Sequence, residues 1–425
     1  MQNETKNQDS TLPIKNLKSM KDFLIIFTGQ AFSLFGSQLV QFTLVWWLTL
    51  TTFASASVLA IAMIAALLPQ IILSPFLGPF IDRWNRRKVM IIADSAIALS
   101  VIILALLFAL NLIEIWHVYV IMFVRSVGSA FHWPAMQAST TMMVPENHLS
   151  RVNGLTQSLQ GLMNIIAPPL GALLIEIMPI QNILSIDVGT ALLAISPLLF
   201  IRIPQPKINN KLKNIQQSAL ADLKDAIKFM LNWKGGLYIL IGAMVINLLI
   251  MPAISLLPIL VVNHFNAGAL EFASLTSAMG IGMVVGGIIL GIWGGFKKRI
   301  VTGMISFILM GISLSIIGLL PPTALFFAII VFFIAGFMMP IGNGSIFAIL
   351  QAMVPPEMQG RVFTLVMSGS AAMTPIGLAI AGPVADLLGV QIWFLVGGIG
   401  MIMVGILAFF SSSVMRIEEE KPTQC

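Results

Sequence analysis

The sequence predicts an all-α integral membrane protein of twelve transmembrane helices in two six-helix bundles. Three observations carry that prediction. Hydrophobic residues make up 58% of the 425 positions and charged residues 9%, with a mean hydropathy of +0.96, well outside the range of water-soluble domains. The apolar residues are gathered into stretches long enough to cross a hydrocarbon core. The basic residues sort by loop: of 23 Lys and Arg, all but Arg125 lie in the N-terminal segment, in alternate inter-helix loops or in the C-terminal tail.

In chain order the apolar stretches begin near Phe23, Val58, Val89, Ile115, Val152, Ile183, Leu237, Phe272, Ile300, Ala324, Val362 and Trp393. Lys6, Lys15, Lys18 and Lys21 precede the first, and Arg83, Arg86, Arg87 and Lys88 follow the second. Arg151 follows the fourth, and a basic series from Arg202 through Lys207, Lys211, Lys213, Lys224, Lys228 and Lys234 follows the sixth. Lys297, Lys298 and Arg299 follow the eighth, Arg361 the tenth, and Arg416 and Lys421 the last. The opposite loops, near Thr52, Asn111, Met178, Asn263, Pro321 and Leu388, carry no Lys or Arg. The positive-inside rule then places both termini in the cytoplasm, as an even span count also requires. Anionic lipid of the inner leaflet accounts for the net charge of +6, so no nucleic-acid partner is called for. Residues Met1 to Lys21 lack the apolar core of a cleavable signal and are expected to stay in the mature protein. A single Cys, Cys425 at the last position, excludes an intrachain disulfide and a Cys metal cluster.

An internal repeat divides the chain. Val144-Pro145-Glu146 leading to Arg151-Val152 recurs 210 residues later as Val354-Pro355-Pro356 leading to Arg361-Val362. The segments are therefore 1–22, an N-terminal tail; 23–202, six helices; 203–235, a linker; 236–412, six helices; and 413–425, a C-terminal tail. Within the linker, Leu220, Leu223, Ile227 and Met230/Leu231 recur at helical spacing opposite Asp222, Lys224, Asp225 and Lys228, which predicts an amphipathic helix on the inner membrane surface.

The most specific local signal is Gly78-Pro79-Phe80-Ile81-Asp82-Arg83-Trp84-Asn85-Arg86-Arg87-Lys88. It resembles the Gly-x-x-x-Asp-Arg-x-x-Arg-Arg-Lys loop of the major facilitator superfamily of transporters. Gly78 suits close helix approach, and Asp82 can face the positive N-terminal end of a neighbouring helix. The resemblance implies that this neighbour is the eleventh helix, opening at Gly360-Arg361, so that Asp82 latches the halves on the inner side. Gly78, Asp82, Arg83, Arg86, Arg87, Lys88 and Arg361 form that candidate gate. In the fifth span Gly154, Pro168 and Gly171 match a degenerate version of the antiporter motif, while Met163, Ala167 and Ala172 stand at its glycine positions; close packing and a proline bend are the expected roles. The stretches Arg125 to Ala135, Ser185-Ile186-Asp187 and Gly382-Pro383-Val384-Ala385-Asp386 look like the drug-exporting branch that contains the macrolide efflux proteins. Gly128, three residues after Arg125, follows that branch and departs from the better-known drug/proton antiporters.

Arg125 lies about nine residues into its span, roughly 13 Å deep at the helical rise, where an unpaired charge costs several kcal/mol. By depth Asp187 is its nearer partner, whereas Asp94 lies close enough to the basic loop to pair with Arg83 or Arg86. Asp187 is then either a proton carrier or half of a permanent ion pair that positions helices; the sequence leaves both open. His132, on the helix face of Arg125 and Ser129, is either a proton relay or a hydrogen-bonded packing residue. Arg125, Asp187, Asp94 and His132 are the proton-coupling candidates.

Gln30, Ser33, Ser37 and Gln41 share one face of the first helix, a pattern suited to a wet cavity. The resemblance implies that the first, fourth, seventh and tenth helices line the path, which adds Ser129, Trp133, Asn247, Met251 and Asn343. Few fixed charges and soft apolar walls suit a large amphiphilic or weakly cationic organic molecule. The expected function is secondary efflux of such a drug, macrolide-like, in exchange for protons. The alternatives are export or flipping of an endogenous metabolite, siderophore or lysolipid, and, more remotely, a membrane receptor that moves nothing. No nucleophile-and-base constellation, Walker loop, cofactor motif or metal ligand set is present. The partners expected are therefore the substrate, protons and the lipid bilayer, around a monomer in a bacterial plasma membrane.

Overall fold

A computed structural model describes residues 16–51, 55–205 and 215–419. Of some of these, including Gly78, Asp82 and Arg83, only the backbone is described. Lys6, Lys15, Lys207, Lys211, Lys213, Lys421 and Cys425 lie outside the described residues.

Six long helices come first: α1 (Asn16–Thr51), α2 (Ala56–Arg83), α3 (Arg86–Ala109), α4 (Ile115–Met143), α5 (Glu146–Ile177) and α6 (Ile180–Phe200). The linker helix α7 (Ile215–Asn232) precedes α8 (Lys234–Ser255), which is followed by a short α9 (Leu257–Ile259) and one π-helical turn, Leu260–His264. Then come α10 (Ala269–Trp293), α11 (Arg299–Leu319), α12 (Leu325–Met353), α13 (Pro356–Leu388), α14 (Val390–Phe410) and the single turn α15 (Ser412–Met415). Among the described residues, eleven helices are long and apolar enough to cross a membrane. The twelfth, α4, has 29 residues and is more polar because it carries Arg125, His132 and a Ser/Gln/Thr-rich final stretch. That polarity marks a helix that faces protein and cavity more than lipid.

Local chemistry starts and stops these helices. Asn85 caps α3 by accepting the Lys88 N–H at 3.2 Å, and His117 Nδ1 accepts the Glu114 N–H at 3.0 Å at the start of α4. Gly389, at φ 90°, breaks α13 from α14 in a conformation that other residues resist.

The first six helices pack as one group: α1 against α5 and α6, α2 against α4, α3 against α4 and α6. The same pairings recur in the second group, with α8 against α13 and α14, α10 against α12, and α11 against α12 and α14. The groups meet through α2 with α13 and α5 with α10. Their closest approaches lie from mid-height toward the end opposite the basic loops. There Phe42 stacks on Phe272 with centroids 5.2 Å apart, Trp46 lies 6.0 Å from the same ring, and the Ser277 hydroxyl donates to the Ile165 carbonyl at 3.0 Å. Toward the basic-loop end, a Cβ placed on Gly154 or Gly360 would meet nothing within 4 Å. Gly154 is therefore not at a close-packed seam in this conformer, contrary to expectation, because the surfaces it would join stand apart. Gly171 is: a Cβ there would lie 2.7 Å from the Phe42 ring.

The linker helix α7 buries Ala226, Phe229 and Met230 and rests on α13 and α8. Leu223, Ile227 and Leu231 remain exposed beside Lys224 and Lys228, leaving a second apolar row directed away from the bundle.

Candidate functional site

Two buried polar clusters sit one above the other along α1. Ser37 belongs to one and Gln30 to the other, seven residues and therefore about 10 Å apart on a helix.

In the first, Arg125 of α4 and Asp187 of α6 form an ion pair at 3.0 Å, with side chains only 11% and 3% exposed. The second guanidinium nitrogen, Nη2, donates to the Ser37 carbonyl at 3.1 Å, and the Ser37 hydroxyl donates to the other Asp187 oxygen at 3.3 Å. The carboxylate is thus held by one charged and one neutral donor, the kind of full satisfaction that a charge in a low-dielectric interior demands. Gly36 makes this possible. A Cβ there would overlap Thr190 Oγ1 and come within 2.8 Å of Asp187 Oδ1, so only glycine lets α1 lie this close to α6.

In the second cluster Asp94 of α3 accepts the Gln30 amide at 3.0 Å and lies 3.3 Å from His132 Nε2 of α4. This corrects the expectation that Asp94 pairs with Arg83 or Arg86. Helix α3 turns Asp94 toward α1 and α4, and its neighbour on that side is an imidazole. Arg86 is buried and donates to the Ala138 carbonyl at 3.0 Å, while its backbone N–H bonds Gln205 Oε1 at 3.2 Å. Arg87 donates to the Leu198 and Leu199 carbonyls. These arginines therefore tie the loop after α2 to the C-terminal turns of α4 and α6, where helix dipoles favour cations. Lys88 contributes its backbone N–H to the Asn85 cap. Arg361 pairs with Asp225 of α7 at 3.2 Å.

Both clusters border one cavity of about 490 Å³, within the size range of sites for drug-sized ligands. Of the residues expected to line the path, Gln30, Ser33, Ser37, Ser129 and Trp133 border it, beside Asp94, His132 and Asp187, and every described lining residue comes from α1 to α6. Gln41, Asn247, Met251 and Asn343 do not. The reason differs for each. Gln41 sits next to Phe42, at the level where α1 closes on α5 and α10; the Asn247 amide donates to its own helix, to the Ala243 carbonyl at 3.0 Å; Met251 and Asn343 belong to the second helix group, which supplies no wall here. The sequence reading missed six other polar walls, Gln38, Gln70, Gln137, Thr140, Thr156 and Gln160. Their signal was available: Ser129, His132, Trp133, Met136, Gln137 and Thr140 recur at helical spacing on α4, and Thr156 and Gln160 are one turn apart on α5. The amides supply donors and acceptors, Trp133 and Phe27 supply apolar surface, and Asp94 and Asp187 are the acidic groups of the wall among the described residues. Among the described residues no group of three His, Cys, Asp or Glu could hold a metal ion.

Comparison with known proteins gives this arrangement its family. The chain is 32% identical over 396 residues to macrolide efflux protein A of Streptococcus pyogenes, covering 93% of this chain and 97% of that protein. It is 27% identical over 383 residues to the multidrug efflux pump Tap of Mycolicibacterium fortuitum, covering 88% and 91%. Among solved structures, a POT family transporter bound to a thioalcohol-conjugated peptide superposes with a TM-score of 0.70 at 13% identity, over 93% of this chain and 96% of that one. The sequence profile of the Major Facilitator Superfamily matches residues 26–377 and 239–424. Twelve long helices in two similarly packed groups, joined through α2 with α13 and α5 with α10, make this chain a multi-pass bacterial membrane transporter that belongs to the major facilitator superfamily.

Proposed function

We propose that this chain is a secondary efflux transporter that exports an amphiphilic, macrolide-like drug in exchange for protons by alternating access. The observation that carries the reading is the cavity: it is large enough for a drug-sized molecule, lined by amides and aromatic surface, and bounded by two buried carboxylates whose neighbours are an arginine and an imidazole. The names carried by the relatives support the substrate class.

In this reading the basic loops face the cytoplasm, with both termini, and residues 23–202 and 236–412 rock as two bundles about the linker 203–235. The conformer described, with its groups joined at the end opposite the basic loops, is then the inward-facing one that loads substrate from the cytoplasm and inner leaflet. Asp187 and Asp94 are the groups that exchange protons, with Arg125 and His132 setting when each can give one up. Asp82 holds the outward-facing state against the start of α13. The chain works as a monomer.

The test is resistance and accumulation in one experiment. A pump-deficient bacterial host expressing the chain should tolerate higher macrolide concentrations and retain less labelled macrolide than the empty host, and an uncoupler should abolish the difference. Equal accumulation in both hosts would refute drug export.

A further inference from the structure

Where the two helix groups meet at the end opposite the basic loops, the start of α2 is capped by a residue of the other group. Asp386 Oδ1 accepts the Ala56 N–H at 2.6 Å, and Oδ2 accepts the Ser57 N–H at 3.0 Å and the Ser55 hydroxyl at 3.3 Å. The first turn of any helix presents N–H groups with no partner of their own, and together with the helix dipole they attract a carboxylate. Helix α2 has little cap of its own, since Ser55 Oγ stands 3.5 Å from the Val58 N–H.

Two further observations separate this contact from incidental packing. Gly382 lies one turn before Asp386 on α13, and a Cβ there would come within 2.9 Å of Ser57 Cα and 3.0 Å of Ala60 Cβ. Any larger side chain would push the helices apart and withdraw the carboxylate. The repeat supplies the second. Helix α10 stands in the second group where α2 stands in the first, and it caps itself through Glu271, which accepts the Gly268 N–H at 2.9 Å. The 210-residue offset maps Asp386 onto Glu176 at the end of α5, and Glu176 is exposed. The device is therefore confined to the α2 and α13 pair.

We propose that Asp386 is a positioning residue of the transport cycle: a carboxylate latch that holds α13 on the first turn of α2 while this end is closed, and releases those amides to water when it opens. The proposal rests on the alternating-access reading above. Its partner groups are two backbone amides and the Ser55 hydroxyl, so the latch needs neither a second charge nor a proton, and it opens at the cost of exchanging three hydrogen bonds for hydration. Helices α2 and α13 then carry one carboxylate each for the other's N-terminus, at opposite ends: Asp386 for α2 here, and Asp82 for α13 in the state closed at the basic-loop end. Rocking exchanges one for the other, which keeps both end states within reach of a modest bias from substrate or protons.

The experiment uses the full chain with Cys425→Ser and spin labels at Leu112→Cys and Pro322→Cys, on exposed loops of the two groups at this end. In Asp386→Ala the long-distance, open population should rise about tenfold relative to the parent, the order expected for losing a few charge-assisted hydrogen bonds that water partly replaces. Asp386→Asn, which keeps size and one acceptor oxygen, should fall between and guards against misfolding of the alanine variant. Asp82→Asn should move the population the other way, and the double variant should return toward the parent, a compensation that loss of packing would not give. Distance distributions unchanged in both Asp386 variants overturn the latch. A parent whose distances respond to neither pH nor a macrolide contradicts alternating access itself. A shift in the Asp386 variants with a silent Asp82→Asn confirms the latch at this end and refutes only its counterpart.

Discussion

Arg125 and Asp187 show how much a single buried charge dictates. An isolated guanidinium at that depth is prohibitive, so a partner had to exist, and depth along the helices pointed to Asp187; the structure joins them at 3.0 Å. Removing either charge alone leaves the other buried and should cost about 3 to 5 kcal/mol of stability, while removing both should recover most of it. A thermal-unfolding double-mutant cycle in detergent checks this, and additive losses would mean that the two do not interact. Asp187→Asn should also uncouple drug movement from the pH gradient, read as drug-induced proton flux in vesicles, and full pH-driven transport by that variant would remove Asp187 as a carrier. Asp94 was the harder case. Its depth resembles that of the basic loop, but depth gives no rotation about the helix axis, and it is rotation that turns Asp94 toward Gln30 and His132. Asp386 was harder still, since two of its three donors are backbone amides, which no residue type in a sequence reveals.

At the scale of helices, glycine decides which pairs can touch. Gly36→Ala should be costly out of proportion to one methyl group, by about 1 to 3 kcal/mol of overpacking, because the new Cβ meets Thr190 and Asp187. Thermal unfolding reads that loss, and a return of stability in Gly36→Ala with Thr190→Ser would leave the steric account in doubt, since Oγ1 is the atom first met. Gly154 makes the opposite case. With open space around its Cβ, Gly154→Leu should fold with unchanged stability yet slow transport, if α5 must pack there when the basic-loop end closes. Wild-type transport rates in that variant would show that the surface never closes. Helix identity was legible throughout because span length, basic loops and the 210-residue repeat are all linear features. Which faces line the cavity was legible only for α1 and α4. Contributions from Asn247, Met251 and Asn343 were expected from the family resemblance, and the conformer described draws its described walls from the first group alone.

At the scale of the whole molecule, a superfamily fold joined at one end holds a cavity bordered by two buried carboxylates, and drug export driven by protons is the function proposed for it. The topology that sets its direction is itself open to measurement: a cysteine placed in the loop after α2 should react with impermeant thiol reagent only in inside-out vesicles, and one at Pro322 only in right-side-out vesicles. Reversal of that pattern would turn an exporter into an importer. The most direct test of the central claim is transport by the purified chain in sealed vesicles with an imposed pH gradient. A labelled macrolide should move against its own gradient when protons flow the other way, and adding the drug should release protons in the reverse direction. Macrolide movement that ignores the pH gradient and follows sodium, or no movement at all, would contradict the account.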